Sequence, residues 1–251
     1  MDYISKKGGW VLILVFFSAF MMNQIAAENR VALCITATGK YDVFANQLIR
    51  SARQFFLTDK QVNYFVFTDG VVEEAEDVVI VHQPRLGWPY DTMMRFEIYL
   101  NHKELFKDFD YVFAVDADML FVDYIGEEIL GDLVGTIHPG FYNSRGTYET
   151  RRKSKACVRP REGEYYFAGG FYGGKRENFI LLLRETSKNI REDLKRNIIA
   201  IWHDESHLNR YFIDHPPTVK LSPSYCYPES WSLPFSKKLL ALDKNHSELR
   251  K

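Results

Sequence analysis

Short apolar runs alternate with longer stretches of helical spacing through the first half of the chain. Val31–Ala37 is a compact run rich in β-branched residues and is expected to form the first strand. From Asp42 to Phe56, the apolar residues Val43, Leu48, Ile49 and Phe55-Phe56 recur at helical intervals, which predicts a helix. Val62–Thr68 is a second expected strand, closed by the turn pair Asp69-Gly70. A short third strand is expected at Val78–His82, a helix at Met93–Phe106 and a fourth strand at Tyr111–Val115. Strands alternating with helices predict an α/β fold, a mainly parallel sheet flanked by helices. Ligands of such sheets sit beyond the carboxyl ends of the strands.

The second half is less regular. It holds "GTIHPGFY" (135–142), "EYYFAGGFYGG" (164–174), an expected helix from Lys175 to about Asn197, and "IWHDESHLNRYF" (201–212). A Pro-rich aromatic stretch follows, and no repeat or linker divides 31–251, so one domain is expected there. The beginning has another character. Lys6 and Lys7 precede an apolar stretch from Trp10 to Met22, with a small-residue cleavage site after Ala27. Residues 1–29 therefore have the pattern of a signal peptide or a short membrane anchor. Either carries the domain across or onto a membrane, leaving it membrane-associated through a single-pass anchor or secretory/periplasmic after cleavage.

Composition narrows the class. Hydrophobic residues make up 46% and aromatics 15%, enough for a sizeable core and unlike a disordered chain. The 32 basic and 33 acidic residues nearly cancel, which gives no electrostatic case for nucleic acid. The local cluster Arg151-Arg152-Lys153-Ser154-Lys155 is expected to be a solvated loop. Cys34, Cys157 and Cys226 are too few and too far apart for a disulfide framework, and their spacing fits no zinc site.

The candidate chemistry begins with "VFAVDADMLFVD" (112–123), where Asp116 and Asp118 interrupt a run that otherwise suits a buried strand. Burying an acid pair is costly. At a strand's end the pair would instead offer oxygen ligands to Mg²⁺ or Mn²⁺, with capping or turn roles as the plainer alternative. In "HDESHLNRY" (203–211), Glu205 and Asn209 share a helix face, as do His203 and His207. Asp204 holds the place where the zinc-hydrolase pattern needs Glu. A carboxylate beside a reacting carbon is one role for this segment, and a solvated helix end is the other. "FAGGFYGG" allows close backbone approach but has neither a Walker nor a dinucleotide spacing, so a bulge or hairpin is equally open. The tail "KNHSELR" is either a frayed basic end or, beside a metal–diphosphate site, a flap over phosphate oxygens.

Taken together, "ATGKY", "YVFTD"-like "YFVFTD", "MMRFE", "VDADM", "IHPGFY", "YYFAGGFYGG", "WHDESHLNRY", "KLSPSYCY" and "KNHSELR" occur in the order of family 6 glycosyltransferases, which include the blood-group A and B transferases and α-1,3-galactosyltransferase. The chain resembles that family over nearly all of 31–251. The resemblance implies a GT-A type fold, a UDP-sugar donor, Mn²⁺ (or Mg²⁺) and retention of anomeric configuration. It implies that Tyr41 stacks on uracil, with Thr36, Ala37 and Thr38 around the base, and that Asp116 and Asp118 hold the metal with Ala117 near the ribose. Arg95 and Asp204 would touch the donor sugar, Ala168 and Gly170 would select galactose or N-acetylgalactosamine, and Gly169 lies between them in the donor site. His138, Thr147 and Trp202 fall at acceptor positions. Glu205 matches the catalytic carboxylate, which also contacts the acceptor and either attacks or stabilises an oxocarbenium-like centre. Lys244 and Arg250 match residues that grip the diphosphate.

The activity that the resemblance implies is α-1,3 transfer of galactose or, with two small residues at 168 and 170, N-acetylgalactosamine to a β-galactoside-terminated glycan, with or without fucose. The competing expectation is a non-catalytic carbohydrate-binding protein on the same fold. The acceptor stretch around Pro228-Glu229-Ser230 departs from the family pattern, so acceptor identity does not carry over.

Overall fold

In the computed structural model, which describes residues 29–249, four parallel strands form one half of the main sheet. They are β1 (Arg30–Thr36), β2 (Gln61–Thr68), β3 (Val78–His82) and β4 (Tyr111–Asp116), in spatial order β3-β2-β1-β4. The expected signal or anchor at 10–27 and the tail residue Arg250 lie outside the described residues. β1 shows why these runs are strands. Val31, Leu33 and Ile35 point to one core and Ala32 and Cys34 to the other, all fully buried. Helix α1 (Asp42–Phe55) covers the first face with Ala45, Leu48, Ile49 and Ala52. The second face is covered by residues after β3.

That second cover corrects the expected single helix at Met93–Phe106. It is three pieces: α2 (Tyr90–Met93), α3 (Arg95–Asn101) and a 3₁₀ turn at Lys103–Phe106. Met94 (φ −90°, ψ 3°) and His102 (φ −110°, ψ 18°) leave helical geometry between them. The break matters because Arg95 opens α3 directly beside the strand ends.

The other half of the sheet is mixed. β6 (Leu133–Ile137) and β7 (Phe167–Lys175) complete the order as β4-β7-β6-β8, with β8 at Val219–Leu221. β7 runs antiparallel to both neighbours, and β8 is parallel to β6. "FAGGFYGG" is therefore a central strand, and the expected bulge lies inside it. Gly135 pairs with Tyr172 but Thr136 pairs with Ala168, so Gly169, Gly170 and Phe171 stand out of the β6 ladder. Glycine is required further along, where a Cβ on Gly173 would lie 2.4 Å from the Val112 carbonyl of β4.

Helices α4 (Arg176–Leu194) and α5 (His203–Asp214) pack on the second face through Phe179, Leu182, Leu183, Leu208 and Phe212. A three-stranded sheet, β5 (Met119–Phe121), β10 (Leu239–Ala241) and β9 (Tyr227–Pro228), closes over the end of β4. Among the described residues no helix is long and apolar enough to cross a membrane.

Candidate active site

β4 ends at Asp116 and β5 begins at Met119, so the Ala117-Asp118 turn crosses the carboxyl end of the sheet. The acid pair is tolerated there because each carboxylate meets a cation. Arg95 Nη1 donates to Asp116 Oδ1 at 2.5 Å, and the Lys244 ammonium pairs with Asp118 Oδ2. Arg95, only 8% exposed, also reaches Asp204 Oδ2 through Nε at 3.1 Å and the Gly169 carbonyl through Nη1 at 3.2 Å. One guanidinium thus ties the end of β4 to the start of α5 and to the β7 bulge, a geometry suited to a planar, always-charged fork.

The bulge supplies the other half. Gly169, displaced from the β6 ladder, turns its N–H to Glu205 Oε2 at 2.9 Å and its C=O to Arg95. Asn209 fixes this register from α5. Its Oδ1 accepts from Phe167 N at 2.8 Å, and its Nδ2 donates to the carbonyls of Phe167 (2.8 Å) and Glu205 (2.9 Å). The first residue of α5, His203, has φ +48°, a conformation uncommon outside glycine. Its ring packs edge-on against Trp88 at 4.9 Å. The strained start aims both Asp204 and Glu205 towards the strand ends.

Burial dominates the titration of these acids. It pushes Asp204 up to about 6, against the opposing charge of Arg95. It pushes Glu205 up to about 7, opposed by the Gly169 N–H. The Tyr166 hydroxyl is buried without a hydrogen-bond partner, yet lies close enough to favour the charged form of Glu205. Asp118 is likewise raised, by burial and then by Asp116, with Lys244 opposing.

Two adjoining cavities share Thr92, Arg95 and Asp116. The first, about 190 Å³, is lined by Thr36, Thr38, Tyr41, Ala117, Asp118 and Lys244 among the expected residues. The second, about 150 Å³, is lined by Gly169, Gly170, Trp202, Asp204 and Glu205. Ala37 and Ala168 are buried, with Ala37 held by Phe67 and Thr68, and line neither. His138 also lines neither. Its ring sits against Phe141 and Tyr166, its Nδ1 accepts from Gly140 N at 3.0 Å, and burial lowers it to about 4, so it is neutral. Thr147 is exposed on the loop before Tyr148. The tail closes over the first cavity. Helix α6 (His246–Leu249) accepts a bond from Lys40 Nζ at the Glu248 carbonyl (2.9 Å), and Leu249 lines the wall.

Sequence reasoning missed several residues. Asp91 accepts from Thr38 Oγ1 at 3.3 Å and from Leu86 N at 2.6 Å, and lines the first cavity with Arg85 and Trp88. Nothing in its spacing marked it. Asn209 was visible as sharing a face with Glu205, but its strand partner lies 42 residues away. His207 turns into the core against Asp193 (3.7 Å).

The donor set bears on a metal ion. Asp116 lines both cavities and Asp118 the first, so two carboxylates stand at the strand end, and no cluster of three or more His, Cys, Asp or Glu occurs among the described residues. Two hard oxygen donors without a full protein cage suit an ion that completes its shell with water and phosphate, as Mg²⁺ does. The Lys244 ammonium shows that this turn already holds positive charge.

The chain is similar to known proteins along most of its length. The description "Glycosyltransferase family 6" matches residues 14–251. Histo-blood group ABO system transferase 1 of Rattus norvegicus is 36% identical over 263 residues, 96% of this chain and 76% of the relative. Globoside alpha-1,3-N-acetylgalactosaminyltransferase 1 of Homo sapiens is 35% identical over 236 residues, 88% of this chain and 68% of the relative. The O-antigen biosynthesis glycosyltransferase WbnI of Escherichia coli is 31% identical over 216 residues, 82% of this chain and 92% of the relative.

Proposed function

The chain belongs to glycosyltransferase family 6, and from that premise we propose that it moves galactose or N-acetylgalactosamine from a UDP-sugar to a β-galactoside-terminated glycan, forming an α-1,3 linkage with retention. One observation carries this reading: the Asp116-Ala117-Asp118 turn and Glu205 face two cavities joined at Arg95. The cavity with Tyr41, Asp118 and Lys244 suits a nucleoside diphosphate, and the one with Glu205 suits its sugar.

Transfer breaks the bond between the anomeric carbon and the diphosphate, whose oxygen keeps the electron pair. The acceptor hydroxyl oxygen forms the new bond, and its proton passes to the departing diphosphate oxygen. Asp116 and Asp118 would hold a divalent ion, Mn²⁺ or Mg²⁺, which when bound supplies charge neutralisation for the departing diphosphate. Lys244 adds a cation at the same edge, and the tail held by Lys40 shields it from water. Glu205 offers a carboxylate to the positive charge that develops on the sugar, and the Gly169 N–H fixes its direction. Arg95 keeps Asp116 and Asp204 in register.

The test is transfer from UDP-galactose and UDP-N-acetylgalactosamine to acceptors ending in Galβ and Fucα1-2Galβ, with and without Mn²⁺. Metal-assisted transfer from at least one donor is expected. Binding of both nucleotide sugars with no turnover on any acceptor, and no hydrolysis, would instead mark a carbohydrate-binding protein.

A further inference from the structure

The wall of the sugar cavity between Asp116 and Glu205 is the Gly169-Gly170 bulge, and two sulfur atoms stand behind it. A Cβ on Gly170 would lie 3.0 Å from Cys226 Sγ, 3.2 Å from Met119 Sδ and 3.7 Å from Asp116 Oδ2. On Gly169 it would meet nothing nearer than 3.6 Å. The missing side chain at 170 is therefore not spare room in the cavity, because the Cys226 thiol already fills that direction. Cys226 ends the 3₁₀ turn Pro223–Cys226 just before β9, and Met119 opens β5 and is 2% exposed. Burial, together with Asp116, Glu205 and Asp118, pushes the thiol far up, so Cys226 is a neutral, compact side chain.

Taking the transferase assignment as given, we propose that Cys226, backed by Met119, is a donor-selecting residue: its volume sets how far the Gly170 bulge stands from Asp116, and so the space left for the substituent beside the anomeric carbon. Interiors are packed tightly enough that one methylene is felt. A smaller residue at 226 lets the bulge settle back and favours an acetamido substituent. A larger one presses the bulge into the cavity and leaves room only for a hydroxyl. Positions 170 and 226 act as one volume.

The experiment measures kcat/KM for UDP-galactose and UDP-N-acetylgalactosamine on one β-galactoside acceptor. Cys226→Ala should raise the N-acetylgalactosamine-to-galactose ratio about tenfold and Cys226→Val should lower it by a similar factor. Cys226→Ser, of nearly equal size, should keep the wild-type ratio. Gly170→Ala should lower transfer from both donors and the melting temperature, and Gly170→Ala/Cys226→Ala should recover both. A wild-type chain that transfers from neither donor overturns the transferase assignment and this selection together. A wild-type chain that transfers, with a ratio unmoved at 226 and an additive double-mutant cycle, overturns the role of Cys226 alone.

Discussion

At the strand-end side of the cleft, Asp116 and Asp118 each meet a cationic side chain, whereas at the α5 side Glu205 meets only the Gly169 amide and the nearby Tyr166 hydroxyl. Arg95 serves one carboxylate in each region, Asp116 and Asp204, but Glu205 has no cationic side chain against it. Burial raises Glu205 to about 7. The difference separates two tasks. The charges of Asp116 and Asp118 are committed to cations, which suits a site for diphosphate and metal. The charge of Glu205 is left for a positive centre that exists only during reaction, and that is how a site favours a transition state over its ground state.

Arg95 belongs to both regions, so removing it should have the largest effect. Arg95→Met leaves Asp116 and the buried Asp204 without their shared partner. Breaking a buried pair from one side costs about 3–5 kcal/mol, so denaturant melts should show a loss of that order. Arg95→Lys should recover only part of it, since an ammonium cannot reach Asp116, Asp204 and the Gly169 carbonyl as one fork. Full recovery by lysine would mean that charge alone links the regions.

Next in size is the catalytic contrast itself. Glu205→Gln preserves the shape and an oxygen for the Gly169 N–H while deleting the charge. Loss of a well-placed electrostatic group costs about 10²–10³ in kcat. Affinity for UDP should stay unchanged, because the first cavity is intact. Equal losses in turnover and UDP affinity would show that the two regions do not divide the work as described.

The parallel half was far more legible in the sequence than the mixed half, for a physical reason. β1 to β4 are continuous apolar runs whose periodicity is local, and Asp116 marks its own strand's end. The β7 bulge depends on β6 from about 30 residues earlier and on Asn209 from 42 residues later, and no local pattern encodes such a pairing. Met93–Phe106 failed differently: its apolar spacing is helical, but the chain breaks at Met94 and brings Arg95 to the acids. Asp118 showed itself at the strand end, Glu205 and Lys244 took their roles from a family resemblance, and Asp91 stood in a segment with no chemical signature. Asn209→Ala tests the non-local part. It strands the Phe167 amide and carbonyl, which costs about 1–3 kcal/mol in stability. If the bulge register depends on Asn209, turnover should fall as well, with UDP affinity retained. A stability loss without a turnover loss would confine Asn209 to packing.

The smallest effect is also the most direct measure of the uncompensated charge. The folded chain holds the Glu205 proton more tightly than the unfolded chain, with about 7 against the ordinary 4.5. Below pH about 4.5 both states are protonated and the group is neutral to stability. Between there and pH about 7 the unfolded chain binds fewer protons, so stability falls as pH rises, and above that range the full cost of a buried charge is present. Glu205→Gln removes that cost without emptying the site. It should therefore melt about 2–4 °C above the wild-type chain at pH 8, roughly 1 kcal/mol in a chain of this size, because solvent at the half-buried carboxylate screens most of the ~3 kcal/mol that the whole shift is worth. The two should converge as the pH falls below about 4.5. The burial cost of Asp204 is common to both proteins, while its repulsion of Glu205 is part of what the variant relieves. A glutamine variant that melts below the wild-type chain at pH 8 would mean that the Gly169 N–H outweighs burial, and that Glu205 is compensated after all.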